Sequence, residues 1–302
     1  MAASIRQRLL NKARGSKEDF GSVLTRYGLE RLMYRLSQSH HRDQFVLKGA
    51  MLFQLWSGQV HRPTRDLDLL GRGDPAPERF RAVISDICEQ DVEDDGMEFH
   101  PDSILVERIK EDEEYQGLRA KLQATLASAR IPIQIDIGFG DAINPEPSEV
   151  TYPTLLDLPA PTLKAYPRET VVAEKFQAMV MLGIANSRMK DFYDIWTLAR
   201  QFGFSGPVLC SAIRATFERR QTVLPQTPPM AFTPEFAEDR QKLIQWRAFI
   251  RKSKLDADEM ELVDIAESLQ GFLMPPTEAL VADVAFTMNW SPTGPWTVER
   301  VQ

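Results

Sequence analysis

Cysteine is scarce. The 302 residues hold two, Cys88 and Cys210, far apart in the chain and both in stretches with helical patterning. That argues against a disulfide framework and against a cysteine zinc site, and it fits a reducing compartment. Long apolar runs are missing too: no stretch approaches the roughly 20 apolar residues a membrane helix needs. The first residues, MAASIRQRLLNKARGSK, are basic and amphipathic but lack the apolar heart of a secretion signal. The helical pattern runs on behind them, so they read as part of the fold, not as a transit peptide. The expectation is a cytoplasmic protein without a membrane partner. Excess positive charge is absent: the formal net charge is -7 and the pI about 5.3. A nucleic-acid partner would have to meet a local basic patch, not a global field. There is no internal repeat, no low-complexity tract, no Walker-type glycine loop and no Ser/His/Asp nucleophile pattern.

What is present suits a globular chain. Apolar residues make up 43% and charged residues 26%, enough of each for a core and a solvated surface. The length allows two domains, or one domain with a large extension. Acidic residues concentrate in 86–98 and in the run EDEE at 111–114, both of which read as solvated faces.

The first 40 residues read as helices, with Leu29, Leu32, Met33 and Leu36 on one stripe. QFVLKG (44–49) reads as a strand, AMLFQLWSG as a short helix ended by Gly58, and TRDLDLLG as a second strand. In that strand Leu67 and Leu69 share one face, Asp66 and Asp68 the other. A proline-opened helix, PAPERFRAVISDICEQ, follows, then strand candidates at 103–110 and 118–127. In 131–141, Ile131, Ile133, Ile135 and Ile137 alternate with Pro132, Gln134 and Asp136, the clearest strand pattern in the chain. Residues 144–167 carry six prolines and read as a connector. Helical periodicity then holds to about 285, and the tail reads as irregular. The chain thus divides into an α/β part, 1–160, and an all-helical part, 161–302.

The chemistry gathers in KGAMLFQLWSGQVHRPTRDLDLL (48–70). Gly49 and Ala50 are small enough for a backbone to approach a phosphate, and Lys48 adds a point charge that suits one. Asp66 and Asp68 are hard oxygen ligands of the kind Mg²⁺ takes, and Asp136 supplies a third carboxylate from a later strand. Singly, each has a plainer meaning: a DxD on an exposed strand is usually solvated, and Asp136 could cap a turn or pair with an arginine. The conjunction, in one order within one α/β part, is the stronger signal. Further on, Lys175 lies on a helix whose lysines are ordinarily solvated. Asp191 and Asp194 share a helix face, where acids also serve as caps. Arg188 and Lys190 could hold phosphate or pair with these acids. His40 and His41 read as a surface pair at a helix end, and Trp246 and Phe249 as core.

The order Lys-Gly-small, short helix, Arg-x-Asp-x-Asp resembles the DNA polymerase β-like nucleotidyltransferase superfamily. More narrowly it resembles the AbiEii/AbiGii-type (MenT-like) nucleotidyltransferase toxins. Lys48-Gly49-Ala50, Arg65-Asp66-Leu67-Asp68, Glu174-Lys175 and Lys190-Asp191-Phe192-Tyr193-Asp194 carry the likeness, which spans roughly residues 25–275. It implies an α/β (α+β) fold: a polymerase β-like core with a mixed sheet, then a C-terminal helical bundle. It also implies NMP transfer from an NTP to an RNA acceptor, the 3′ end of tRNA, with Mg²⁺ or Mn²⁺, and a separately encoded antitoxin. On this pattern Asp66 and Asp68 hold metal, and Asp136 binds a second ion or helps deprotonate the acceptor. Lys48, Gly49, Ala50 and Lys175 meet phosphate, Arg65 orients the acids, Asp191 is catalytic and Asp194 binds nucleotide. Ala50 departs from the usual glycine or serine and cannot donate a hydroxyl. Two alternatives remain: a small-molecule nucleotidyltransferase of the antibiotic-modifying kind, and an inactive member that only binds a partner.

Overall fold

The computed structural model describes residues 1–59, 61–110, 116–255 and 261–298. Its contacts divide into two compact units: Met1–Asp141 with Pro147–Tyr166, and Ala142–Glu146 with Pro167–Gln302.

The first unit opens with α1 (Ala2–Ser16) and α2 (Phe20–Gln38), the latter capped by Asp19, which accepts from the Ser22 backbone N–H. Then come β1 (Phe45–Lys48), α3 (Met51–Ser57), β2 (Asp66–Gly71) and α4 (Pro77–Cys88). α3 stops where expected, at Gly58 in the left-handed conformation. Three long strands follow, β3 (Met97–Lys110), β4 (Gln116–Leu126) and β5 (Ala129–Phe139), then the short β6 (Ser148–Thr151) and β7 (Thr162–Ala165). They form one mixed seven-stranded sheet in the order β3-β4-β5-β2-β1-β7-β6. The pairs β2/β5 and β1/β7 are parallel, the rest antiparallel. Alternation sends Leu67, Leu69, Ile133 and Ile135 into the core. Along α2 the stripe Leu29, Leu32, Met33 and Leu36 is buried. Gly28 of α2 lies so near the sheet that a Cβ there would come 2.8 Å from Ile133 Cδ1.

Three expectations change. The proline-rich stretch is not merely a connector, for it contains β6 and β7. Pro145, Pro147, Pro153, Pro159, Pro161 and Pro167 all fall outside those two four-residue strands, where a missing N–H would remove a ladder bond. The acidic stretch 86–98 is not uniformly solvated: Asp95 is buried, held by Arg35 at 2.6 and 3.1 Å. His41 is buried as well, 3.0 Å from Asp86, so the histidines are not a surface pair. The run at 111–114 lies outside the described residues.

The second unit contains α5 (Arg168–Leu182), α6 (Met189–Gln201), β8 (Phe204–Ser205), α7 (Gly206–Arg219), α8 (Pro234–Ala237), α9 (Arg240–Ser253) and α10 (Leu262–Val281). Two strands end it, β9 (Met288–Trp290) and β10 (Trp296–Val298), which pair with β8 in the order β10-β9-β8. Over its described residues the tail therefore forms strands and is not irregular, and the unit is not wholly helical. Strands of two or three residues are too short to leave an alternating pattern; their anchor is Trp290 and Trp296 packed on Phe272. Among the described residues no helix is long and apolar enough to cross a membrane.

Candidate active site

Three neighbouring strands of the first unit build the site. Antiparallel pairing sets Lys48 of β1 opposite Asp68 of β2. Parallel pairing sets Asp68 opposite Asp136 of β5. Because side chains alternate along a strand, Asp66, Asp68 and Asp136 emerge on one face while Leu67 and Ile135 go to the other. Carboxylate oxygens of the three aspartates lie within 4.8 Å of one another. Asp136 is buried, Asp66 and Asp68 half-buried.

Like charges that close need partners, and most of these come from residues the sequence did not single out. The Thr64 hydroxyl donates to Asp66 Oδ1 at 2.6 Å. Arg119 of β4, in register with Asp136, grips it with two bonds, Nε to Oδ1 at 2.8 Å and Nη2 to Oδ2 at 2.6 Å. Gln134 adds a third, at 3.2 Å. The hydrogen bond to Asp136, reinforced by the charges of Asp136 and Asp66, holds Arg119 above its ordinary pKa. Lys48 Nζ bonds Asp141 Oδ2 at 2.8 Å.

The turn after β1 has its own steric logic. Gly49 has φ +76°. A Cβ there would fall 2.5 Å from Asp68 Cγ and 2.6 Å from its Cβ, and closer still to Oδ2. Only glycine lets backbone pass so near this carboxylate. Ala50 follows at the N-cap of α3 and lines a cavity together with Thr64. Arg65, expected to orient the acids, lies just before β2. It is exposed in a groove beside Arg130, and Arg119 meets the carboxylates in its place.

The donor set suits a hard divalent cation. It is all carboxylate oxygen, with no thiolate or imidazole, and it converges beside a turn kept clear of side-chain bulk. Asp66, Asp68 and Asp136 would hold such an ion; an oxygen taken from Asp136 would be shared with Arg119.

In the second unit, Lys175 of α5 reaches Asp191 Oδ1 at 2.6 Å and Asp194 Oδ2 at 2.9 Å, both on α6. Arg188 Nε lies 2.7 Å from the other oxygen of Asp191. Both aspartates are fully buried, so they are not solvated caps. Burial pushes the Asp191 carboxyl up, but Lys175 and Arg188 outweigh it and hold it below the usual carboxylate range.

Three carboxylates gathered on a mixed sheet beside a bare glycine turn fit the class that the family model assigns, the nucleotidyltransferases, which work with an NTP and a divalent cation. Within it the chain belongs to one family, described as "Nucleotidyl transferase AbiEii toxin, Type IV TA system", whose model matches residues 31–275. Membership implies an antitoxin partner. No curated protein matches the chain. Among solved structures it is similar to JHP933 from Helicobacter pylori, at 14% identity and a TM-score of 0.47, over 83% of this chain and 93% of that one. It is likewise similar to another H. pylori protein, described as a candidate nucleotidyltransferase, at 15% identity and a TM-score of 0.46, over 85% and 95%.

Proposed function

We propose that this toxin moves an NMP from an NTP to an RNA acceptor, the 3′ end of tRNA, with Mg²⁺, in the cytoplasm. The observation that carries the reading is the convergence of Asp66, Asp68 and Asp136 beside Gly49. Mn²⁺ fits the same oxygen set. When bound, the cation neutralises the triphosphate and makes the acceptor hydroxyl a better nucleophile. Asp66 and Asp68 hold it from one strand, with Thr64 fixing the Asp66 carboxylate. Asp136, held by Arg119, would bind a second ion or help take the proton from the acceptor. The hydroxyl attacks the α-phosphorus, the bond to pyrophosphate breaks, and pyrophosphate leaves. Gly49 and Ala50 let phosphate approach the backbone; Lys48 contributes positive charge there. Lys175, with Asp191 and Asp194 holding its ammonium, is the corresponding nucleotide-binding set of the second unit. A separately encoded antitoxin restrains the activity.

The net charge of -7 favours a second reading, a drug-sized hydroxylated acceptor. Purified protein with Mg²⁺, each labelled NTP in turn, and either total tRNA or a panel of small acceptors decides. Label entering tRNA is the expected result. Label entering only a small acceptor replaces the RNA reading, and no transfer while NTP still binds would make this an inactive, partner-binding member.

A further inference from the structure

Two cavities of the first unit share Ser22 in their linings. One is lined by Ala50, Thr64, Arg62, Arg26 and Glu18, and so abuts the residue that bonds Asp66. The other, about 280 Å³, is lined by Asp19, Arg65, Arg130, Ile131 and Pro132. Four arginines against two carboxylates leave this lining at +2 (4 − 2), within a chain that is acidic overall. Both acids already serve the protein. Glu18 accepts from Arg26 at 2.8 Å, and Asp19 caps α2. The helix next to them, α1, carries Arg6, Arg8, Lys12 and Arg14 and no acid. Burial pushes the Glu18 carboxyl up, but hydrogen bonds from Arg26 and Ser16 and the charges of Arg26 and Lys12 outweigh it and hold it low. Of the α1 cations, Lys12 acts on Glu18, which lines the first cavity.

We propose that this groove carries the phosphodiester backbone of the acceptor RNA as a single strand, and delivers its terminal hydroxyl past Thr64 to the carboxylates. The inference rests on the RNA reading above and locates the acceptor within it. Guanidinium groups match phosphate oxygens in geometry as well as charge. A strand laid along this surface offers anions along its length and, at an RNA 3′ end, the hydroxyl that the proposed reaction needs near Asp66. This is the local basic patch that an acidic chain needs in order to hold nucleic acid.

The test is binding of fluorescein-labelled tRNA, without NTP, across a salt series. Arg130 is exposed at the start of β5, and Arg130→Glu is compared with Arg81→Glu, which changes an exposed residue of α4 and gives the same net charge. Arg130→Glu is expected to weaken tRNA binding about tenfold or more. It is expected to flatten the log–log salt dependence by about 0.7, one single-strand phosphate contact. Arg81→Glu is expected to stay within about twofold of wild type. Arg130→Ser gives a smaller change in the same direction and stands in if the reversed charge impairs folding. Equal binding by the Arg130 and Arg81 variants overturns the groove. If tRNA is labelled with an unchanged KM in Arg130→Glu, the groove alone fails. If the wild type neither binds nor labels tRNA but labels a small acceptor, the RNA reading falls and the groove with it.

Discussion

Gly49→Ala places one methyl group against a carboxylate. The φ of +76° already disfavours any L side chain, by about 1–2 kcal/mol. The added Cβ would sit 2.5 Å from Asp68 Cγ, far inside contact distance, so the Asp68 side chain or the turn must move. Forcing a side chain off its rotamer, or shifting backbone, adds about 1–2 kcal/mol. The sum is about 2–4 kcal/mol of stability in the first unit, read by urea unfolding. Activity suffers more, since displacing a reacting group by about 1 Å removes on the order of 100-fold in rate. Gly58→Ala is the internal control. Its φ is +70°, but nothing lies within 4 Å of the Cβ it would gain, so only the backbone penalty applies and transfer stays close to wild type. A double-mutant cycle with Asp68→Ala adds a check. Removing the carboxyl relieves part of the clash, so the two changes are coupled by about 1 kcal/mol. Equal losses in Gly49→Ala and Gly58→Ala, or a fully active Gly49→Ala, would refute the steric argument.

Two further predictions concern buried charge. Glu30 is almost fully buried and accepts the Leu155 N–H at 2.7 Å. Burial pushes its carboxyl up from 4.5 to about 7, despite that hydrogen bond and the Arg31 charge. The folded state therefore holds this proton more tightly than the unfolded one. Stability from this group is greatest below pH about 4.5 and declines by about 3 kcal/mol as pH rises to 7. Glu30→Gln keeps the acceptor oxygen and removes the charge, so it should flatten that decline and be the more stable form at pH 8; parallel urea midpoints across pH would contradict this. Lys175→Ala strands Asp191 and Asp194, buried, with Arg188 as their remaining named cation, a change that destabilises by about 3–5 kcal/mol. The urea midpoint of the second unit should fall by about 2 M at an m-value near 2 kcal/mol/M. An unmoved midpoint would mean that the aspartates are compensated otherwise.

Much of the fold was legible where one physical rule dominates. Alternation over Ile131–Ile137 and over Asp66–Leu69 gave both strands and both faces, because one face is buried and the other is not. Gly58 marked the end of α3, because a left-handed residue closes a helix. β6, β7, β8, β9 and β10 were hidden by their length, since two to four residues leave no period to read. Asp95 and His41 were misjudged because local composition says nothing of partners far along the chain, such as Arg35 and Asp86. The candidate site divides the same way. The carboxylates and the glycine turn announce themselves by spacing. Arg119, Thr64 and Asp141 act through cross-strand register and loop geometry, which spacing does not encode.

The most direct test of the carboxylate site is Mn²⁺ binding, followed by electron paramagnetic resonance of the free ion in the presence of an unreactive NTP analogue. Wild type should remove Mn²⁺ from solution at a stoichiometric site, and Asp66→Asn/Asp68→Asn, of the same shape without the charges, should not. Undiminished binding by the double variant, with its fold intact, would contradict the account.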